Sequence, residues 1–455
     1  MLLELLSHQN FADMKYGLDP AFRFDVSRSI YKGILKYLCN RYGTRYVVQP
    51  LPVGDMGVRF TDGNKAIISW KDTKDPLEPT AVADGFILYT RCADGGWDQG
   101  KVLERISKKD GYFEAEADIV PGLVMSFKVV AFNDGGMSFP SETVSIGLPA
   151  VGNRQKKVLI VNNFDRVSGP AFFDTPTYAG FDNSLDSGVA DRKDITFVGE
   201  MYNFRRGNEW ITNDRPGFGA SYSDMAGEIV AGNTFDYASV HGMAILSAGY
   251  PFYSCSNERF SSDPLFRSGA WAVDLVCGKQ VSVNSGKKVK YTVFTPELQK
   301  SIRDFTSLGG NMLVSGAYIG TDIWDEVYPV KKDEEERKAS QSFAKEVLGY
   351  DFITNQASNK GIVISGTEPT EMSVKLEFWN TPNKMSYCVE SPDGIAPASE
   401  KAKTIYIYSP NEISAGVAYE SEGYRCISLG FPIETLKSKD DIGKVISDSL
   451  QYFEK

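Results

Sequence analysis

The chain reads as a multidomain protein that combines α/β and all-β architecture. A short strand-helix piece occupies residues 1–48, a β-sandwich 49–150, and a three-layer α/β domain with a parallel sheet and added hairpins 151–455. Three observations predict this. The length of 455 residues corresponds to roughly three domains at about 150 residues each. Short alternating runs separated by turn signals fill the second segment, as a sandwich requires. From Lys156 onward, apolar runs without polar alternation take turns with helical patterns, which is how a parallel sheet is encoded.

Composition excludes several classes. Hydrophobic residues make up 42% and charged residues 24%, so the chain can bury a core and is not globally disordered. Its net charge of −10 argues against nucleic acid as a partner, because phosphate contacts need surplus Lys and Arg. No apolar run approaches the roughly 20 residues of a membrane span. The two histidines, His8 and His241, lie far apart in the sequence, which leaves no His-rich metal site. Cys39, Cys92, Cys255, Cys277, Cys388 and Cys426 include no C-x-x-C pair and read as buried free thiols.

In the first segment, Leu2 to Leu6 reads as a buried strand entered midway, so the chain is expected to be a fragment. A loop from Ser7 to Pro20 precedes a helix in which Phe24, Val26, Ile30, Ile34, Leu35 and Leu38 recur at helical spacing, with Gly43 as its stop. One strand and one helix cannot bury a core alone, so this piece must dock elsewhere. Leu3-Glu4, Asn10, Tyr16 to Pro20 and Ser29-Ile30-Tyr31-Lys32-Gly33-Ile34 resemble the carboxyl end of zinc-dependent N-acetylmuramoyl-L-alanine amidases. Leu6 and Ser7 depart from that pattern. The resemblance implies that Glu4 corresponds to the catalytic glutamate and Asn10 to a loop asparagine. The family's two His and one Glu ligands precede this strand. No cofactor is therefore expected in this chain, and zinc is expected only in an upstream amidase portion.

In the second segment, Lys65 to Trp70, Gly85 to Thr90 and Tyr112 to Ala117 alternate as strands. Pro121-Gly122, the alternating Met125, Phe127 and Val129, then Ala131, Asn133, Gly136, Pro140 and Ser141 resemble the late strands of a fibronectin type III domain. On that resemblance Trp70 is the core tryptophan, and Met125 stands in place of the corner tyrosine, so its hydrogen bond is missing. The resemblance implies a spacer or an interaction surface.

In the third segment, strands are expected at Lys156 to Asn163, Phe235 to Val240, Trp271 to Cys277 and Asn311 to Ser315. Helices are expected at Ser221 to Ala231, Pro296 to Leu308 and Ile442 to Phe453, with hairpins between 350 and 430. Leu308 to Ala317 and Leu429-Gly430-Phe431-Pro432-Ile433-Glu434 resemble class I glutamine-amidotransferase-like domains, which implies a flavodoxin-like fold. Val276-Cys277-Gly278 lacks the first glycine of the nucleophile turn, and His241 precedes Cys277, so a relative without glutaminase activity is implied.

Ligands of open α/β sheets bind at the carboxyl ends of the strands. Those ends offer Asn162, Asn163, Cys277 and Ser315 for binding. His241, Ser239 and Asp165 are the catalytic candidates, with Asp165 or Asp236 to orient His241 and Ser239 or Ser315 as nucleophile. The bland alternative is that His241 is a satisfied structural residue. Tyr202 and Trp210 lie in an aromatic and cationic stretch that reads equally as a glycan surface or a covering loop. Asp182 to Gly188 resembles a calcium loop, but its Gly is late and Lys193 stands where the closing Glu belongs, so no metal ligand is assigned. The run Lys331 to Lys338 reads as a solvated helix start.

The order of the three pieces resembles envelope proteins of gut-type Bacteroidetes that are amidase-like or xanthan-lyase-like. The expectation is an accessory region of a secreted cell-wall amidase-like protein, positioning it on peptidoglycan or another polysaccharide in the periplasm or outside the cell. The alternative is a polysaccharide-active enzyme, xanthan-lyase-like or esterase-like, with its site around His241.

Overall fold

A computed structural model describes residues 3–104, 106–151, 155–200, 203–212, 217–219, 224–285, 288–325, 330, 332–365 and 375–455. Two helices come first, α1 (Phe11–Gly17) and α2 (Pro20–Tyr42). Asn10 caps α1 by accepting from the Ala12 and Asp13 N–H groups, and Asp19 caps α2 by accepting from Ala21. Pro20 fits the first turn of α2, and Gly43 ends it at φ 65°. The strand expected at Leu2 to Leu6 is not formed over residues 3–6, and Leu2 lies outside the described residues. Residues 3–6 pair with no strand, and Leu3, Leu5 and Leu6 are exposed. An apolar run becomes a strand only where another edge satisfies its backbone groups. The capped helix α1 replaces part of the loop expected from Ser7 to Pro20.

The next eight strands are β1 (Gly54–Thr61), β2 (Lys65–Lys71), β3 (Gly85–Cys92), β4 (Lys101–Glu104), β5 (Phe113–Asp118), β6 (Val124–Asn133), β7 (Gly136–Met137) and β8 (Val144–Gly147). β1, β2 and β5 form one antiparallel sheet. β4, β3, β6 and β8 form the other, with β7 folding back on β6. This is the two-sheet pairing of a β-sandwich. Trp70 is fully buried between the sheets, with its ring 5.3 Å from Phe86 and 6.3 Å from Phe113.

The α/β part begins with β9 (Val158–Asn162) and two small ribbons, β10 (Phe172–Asp174) with β11 (Ala179–Phe181) and β12 (Lys193–Asp194) with β13 (Val230–Ala231). Then follow α3 (Tyr237–Ser247), β14 (Phe252–Ser256), α4 (Asn257–Ser262), α5 (Pro264–Arg267) and β15 (Ala272–Gly278). Next come the ribbon β16 (Val283–Ser285) and β17 (Lys288–Lys290), α6 (Pro296–Ser307), β18 (Asn311–Gly316), α7 (Thr321–Trp324) and α8 (Glu334–Phe343). The chain closes with β19 (Tyr350–Thr354), β20 (Ile362–Ser365), β21 (Lys375–Glu377), β22 (Gly394–Pro397), β23 (Ala402–Tyr408), β24 (Ser414–Glu420), β25 (Arg425–Leu429) and α9 (Lys439–Glu454).

β14, β9, β15, β18 and β25 lie side by side and parallel. In chain order this is 2-1-3-4-5, the order of flavodoxin-like doubly wound sheets. Antiparallel β24, β23, β20 and β21 extend the far edge. α3 and α9 cover one face, while α4, α6 and α8 cover the other. The mixed sheet continues into the sandwich, because β14 also pairs antiparallel with β1 and β8.

Two readings of this part are corrected. Phe235 to Val240 is not a strand, because Tyr237 begins α3. That helix is buried on most sides, so its apolar residues show no stripe to separate helix from strand. The strand in question is β14, whose Phe252 ring lies against Gly147 and Gly242; a Cβ at either glycine would strike it. Ser221 to Ala231 does not form the expected helix either. Residues 220–223 lie outside the described set, a turn follows with Gly227 at φ 84°, and Val230 enters β13. The charge run behaves as read from Asp333 onward, which caps α8, while Lys331 lies outside the described residues. Among the described residues all six cysteines are free, five of them buried and Cys92 exposed. No helix of the described residues is long and apolar enough to cross a membrane.

The sandwich core depends on Trp70. Replacing Trp70 by Ala should cost about 3–5 kcal/mol in urea unfolding of the full chain, and an unchanged midpoint would contradict this packing.

Candidate functional site

The sheet reverses its strand order between β9 and β15, and a crevice opens at the carboxyl ends there. β9 delivers Asn163 and Asp165, β14 delivers Asn257 and Glu258 through the first turn of α4, and β15 delivers Gln280. They line a cleft of about 390 Å³. A second cavity of about 320 Å³ shares Asp165, Asn257 and Glu258 with it and reaches Glu142 and Phe139 of the sandwich. A third, of about 410 Å³, shares Phe24, Phe139 and Asp191 with the second and runs along α2 to Arg23. These three adjoining cavities, which share wall residues and follow one another across all three segments of the chain, together form what we call the trench.

The trench has two chemical ends. Near α2 it is aromatic, with the Phe24 and Phe139 rings 5.9 Å apart and Phe139 exposed. At the strand ends it is amide and carboxylate. Asn162 donates to Glu142 at 2.7 Å, Asn257 donates to Asn163 at 2.9 Å, and Gln280 donates to Asp165. Crowding by protein pushes the Glu142 carboxyl up to about 8, and the nearby charges of Glu258 and Asp165 add to the rise. Asp165, whose side chain opens onto the cleft, is raised to about 6 by desolvation and by Glu258.

His241 lies elsewhere. It is fully buried in α3, with Nδ1 2.7 Å from Asp274 Oδ2 and Nε2 3.3 Å from Glu434 Oε2. Tyr387 donates to the other Glu434 oxygen at 2.7 Å. Burial alone would lower the imidazole pKa, but the two carboxylates overcome it and raise it to about 10. Both ring nitrogens are engaged and the ring is closed to solvent, so it has no route to a substrate proton. The orienting partners proposed from sequence are replaced. Asp165 is bonded to Gln280, and Asp236 holds Arg91 through two bonds of 2.7 and 2.8 Å.

The remaining candidates separate in the same way. Ser239 donates to the Asp236 carbonyl at the start of α3. Ser315 is fully buried within β18, and its hydroxyl has no partner. Cys277 is buried, and burial pushes its thiol up to about 12, which disfavours the thiolate a nucleophile needs. Asn163 is buried and lines the cleft, while Asn162 lines the second cavity. Trp210 is exposed and lines none of these cavities; Tyr202 lies outside the described residues. Glu4 and His8 are both exposed. Among the described residues no three His, Cys, Asp or Glu side chains are arranged to hold a metal ion.

The calcium-like stretch serves another purpose. Asp182 folds onto Ser184 and Leu185, while Asp186 is buried against Arg166 and Lys279. Lys279 also pairs with Glu390 at 2.7 Å. Burial alone would raise the Asp186 carboxyl, but the two cations hold it well below the usual range.

Sequence reasoning missed Phe139, Glu142, Asn257, Glu258 and Gln280. Asn257 and Glu258 follow β14 directly, so reading that strand would have exposed them. Glu142 carries no local signal, because its importance comes from elements distant in sequence.

No family model matches the chain, and no curated protein matches it. Solved structures similar to part of it include fibronectin type III domains. One is the fourth such domain of a human protein, 20% identical over 24% of this chain and 88% of that chain, at a TM-score of 0.20. Another contains the FN1–FN3 domains of chicken CNTN1, 15% identical over 23% of this chain and 34% of that chain, at 0.19. A third is the twitchin kinase region from C. elegans, 19% identical over 24% of this chain and 20% of that chain, at 0.18. At such scores the sandwich rests on its own strand pairing.

The His241 ring should keep both its protons from pH 7 to 9, which imidazole nitrogen resonances can read. Its stabilising contribution is complete below the ordinary histidine pKa and is lost as the pH climbs through about 10. A ring that deprotonates near pH 6.5 would contradict the two-carboxylate clamp.

Proposed function

We propose that this chain is a glycan-holding region of a secreted cell-envelope protein of the cell-wall amidase type. Its task is to position that protein on peptidoglycan or a related polysaccharide. The observation that carries the reading is the succession of three adjoining cavities from α2 across the sandwich to the strand ends. A sugar polymer presents apolar ring faces and hydroxyl edges, so it pairs with aromatic side chains along its faces and with amides and carboxylates along its edges. An extended groove suits a linear chain better than a compact metabolite. The amidase-like front segment and the glutamine-amidotransferase-like character of the third segment belong to this same proposal, the latter supported by the 2-1-3-4-5 strand order.

A second reading is supported by the cleft carboxyls. Midway between these two values, near neutral pH, Asp165 would be mostly ionised while Glu142 would hold its proton. Two carboxyls separated in this way can serve as base and acid in polysaccharide cleavage. This moves the enzymatic alternative away from His241.

Retention of the full chain on insoluble peptidoglycan and on soluble polysaccharides tests both. The holding role predicts saturable binding, no release of reducing ends, and a loss of affinity of roughly three- to tenfold in Phe139→Ala, the scale of one aromatic contact. Reducing ends released between pH 6 and 8 and abolished by Glu142→Gln would replace the holding role with the catalytic one. Absence of both binding and cleavage would sink each.

A further inference from the structure

The trench wall carries backbone strain at two points, and the two side chains meet. Arg192 sits at φ 58° and Phe235 at φ 56°. That left-handed conformation is costly for any residue but glycine, and most of all for a bulky one. Both residues line the second cavity, and the Arg192 guanidinium lies over the Phe235 ring at 5.6 Å. The surrounding fold holds both backbones in place. The buried Asn233 accepts from the Phe235 N–H at 2.9 Å through its side chain and from the Arg192 N–H at 2.8 Å through its carbonyl. Gly232 donates to the Arg192 carbonyl at 2.9 Å, and Thr143 of the sandwich donates to the Phe235 carbonyl at 2.8 Å. The strain is thus spent on placing a cation and the ring that braces it in the wall of the cavity.

Among the described residues Arg23, Arg28, Arg192 and Lys193 are the cations that line the trench. Arg28 is committed to Asp75 and the Gln49 carbonyl. Arg23 is committed to the Gly17 carbonyl, Thr196 and Asp194. Arg192 differs. Its one carboxylate partner among the described residues is the adjacent Asp191, reached by a single nitrogen at 3.3 Å, with both side chains exposed. Such a pair is weak and easily exchanged for another anion. The flank behind it is positive as well. The Lys128 ammonium is held below its ordinary range, first by burial and then by Arg192 and Arg91. At the strand ends Glu142, Asp165 and Glu258 oppose this flank. An anionic group in the trench is therefore repelled from the strand ends and drawn to Arg192. A guanidinium stacked on a ring keeps its plane and offers a fork that matches a carboxylate through two parallel N–H···O bonds. A phosphate dianion would bring more charge than one guanidinium can offset so close to three carboxylates.

We infer that Arg192, braced by Phe235, is the subsite for the carboxylate of an acidic sugar, so that the trench holds a linear polysaccharide containing uronic acids. This rests on the glycan-holding reading and narrows it to acidic chains. Arg192 is then a specificity residue, because Phe24, Phe139 and the amides of the trench meet ring faces and hydroxyls that any glycan offers.

Titration calorimetry of the full chain at low salt with three β-1,4-linked pentasaccharides tests this. The probes are pentaglucuronate, its methyl ester, which keeps the sugar and removes the charge, and the neutral chitopentaose. Pentaglucuronate should bind at least about tenfold more tightly than its ester, the scale of one charge-assisted forked pair. Arg192→Gln should bring the two to within about threefold. If that variant does not fold, the comparison of acid with ester on the unaltered chain still decides. Equal binding of acid and ester would overturn the subsite and leave the glycan reading standing. Tighter binding of chitopentaose than of pentaglucuronate would overturn it in the same way. Full preference retained in a folded Arg192→Gln chain would also overturn it, handing the anion to Lys193 or Lys128. Binding of none of the three would overturn the subsite and the glycan reading together.

Discussion

The trench exists because the sandwich and the α/β sheet are fused through one strand. β14 pairs parallel with β9, antiparallel with β1 and antiparallel with β8. Ser145 reinforces the seam by donating its backbone N–H to Ser254 at 2.6 Å, and Arg91 crosses it to grip Asp236. Most neighbouring domains of one chain meet through limited polar interfaces and move relative to each other. Here backbone hydrogen bonds cross the boundary, so Phe139 and Glu142 of the sandwich hold a fixed place beside Asp165 and Glu258. Without that seam the three cavities would be separate and variable.

A second constraint holds the walls. Arg166, Asp186, Lys279 and Glu390 form a buried ion cluster just past the ends of β9 and β15. Buried ion pairs add little net stability relative to apolar packing, yet removing one partner leaves an uncompensated charge at high cost. The cluster therefore locks geometry more than it adds stability. The loop segments 182–190 and 388–391 are bound to the sheet by it. The His241 clamp does the same inside the α3 layer, tying that helix to β15 through Asp274 and to the single turn at Ile433–Thr435 through Glu434.

Legibility in the sequence followed periodicity. The sandwich strands alternate with turns between them, so β2, β3 and β5 could be read almost residue by residue. α6 and α9 carry caps and an apolar stripe and were equally readable, whereas α2 was placed by spacing and by its Gly43 stop although Ile34 and Leu38 of its expected apolar face are exposed. α3 was not, because packing on most sides erases the stripe and leaves an apolar run that also suits a buried strand. That single confusion hid β14, and with it Asn257 and Glu258. Asn162, Asn163 and Asp165 were found by the general rule about strand ends. Glu142 could not be found that way. Its carboxyl is raised first by the protein packed around it and then by carboxylates on other elements. The pull of a lone histidine on sequence reasoning is also physical, since histidine so often carries proton transfer. Only the structure shows that two carboxylates already occupy this one.

The central claim is that one linear glycan can lie along the whole trench. A crystal structure of the full chain with bound chitopentaose tests it most directly. The account predicts sugar rings over Phe24 and Phe139 and hydroxyl contacts reaching toward Asn257 and Glu258. Density for the saccharide on another surface, with the trench empty, would contradict it.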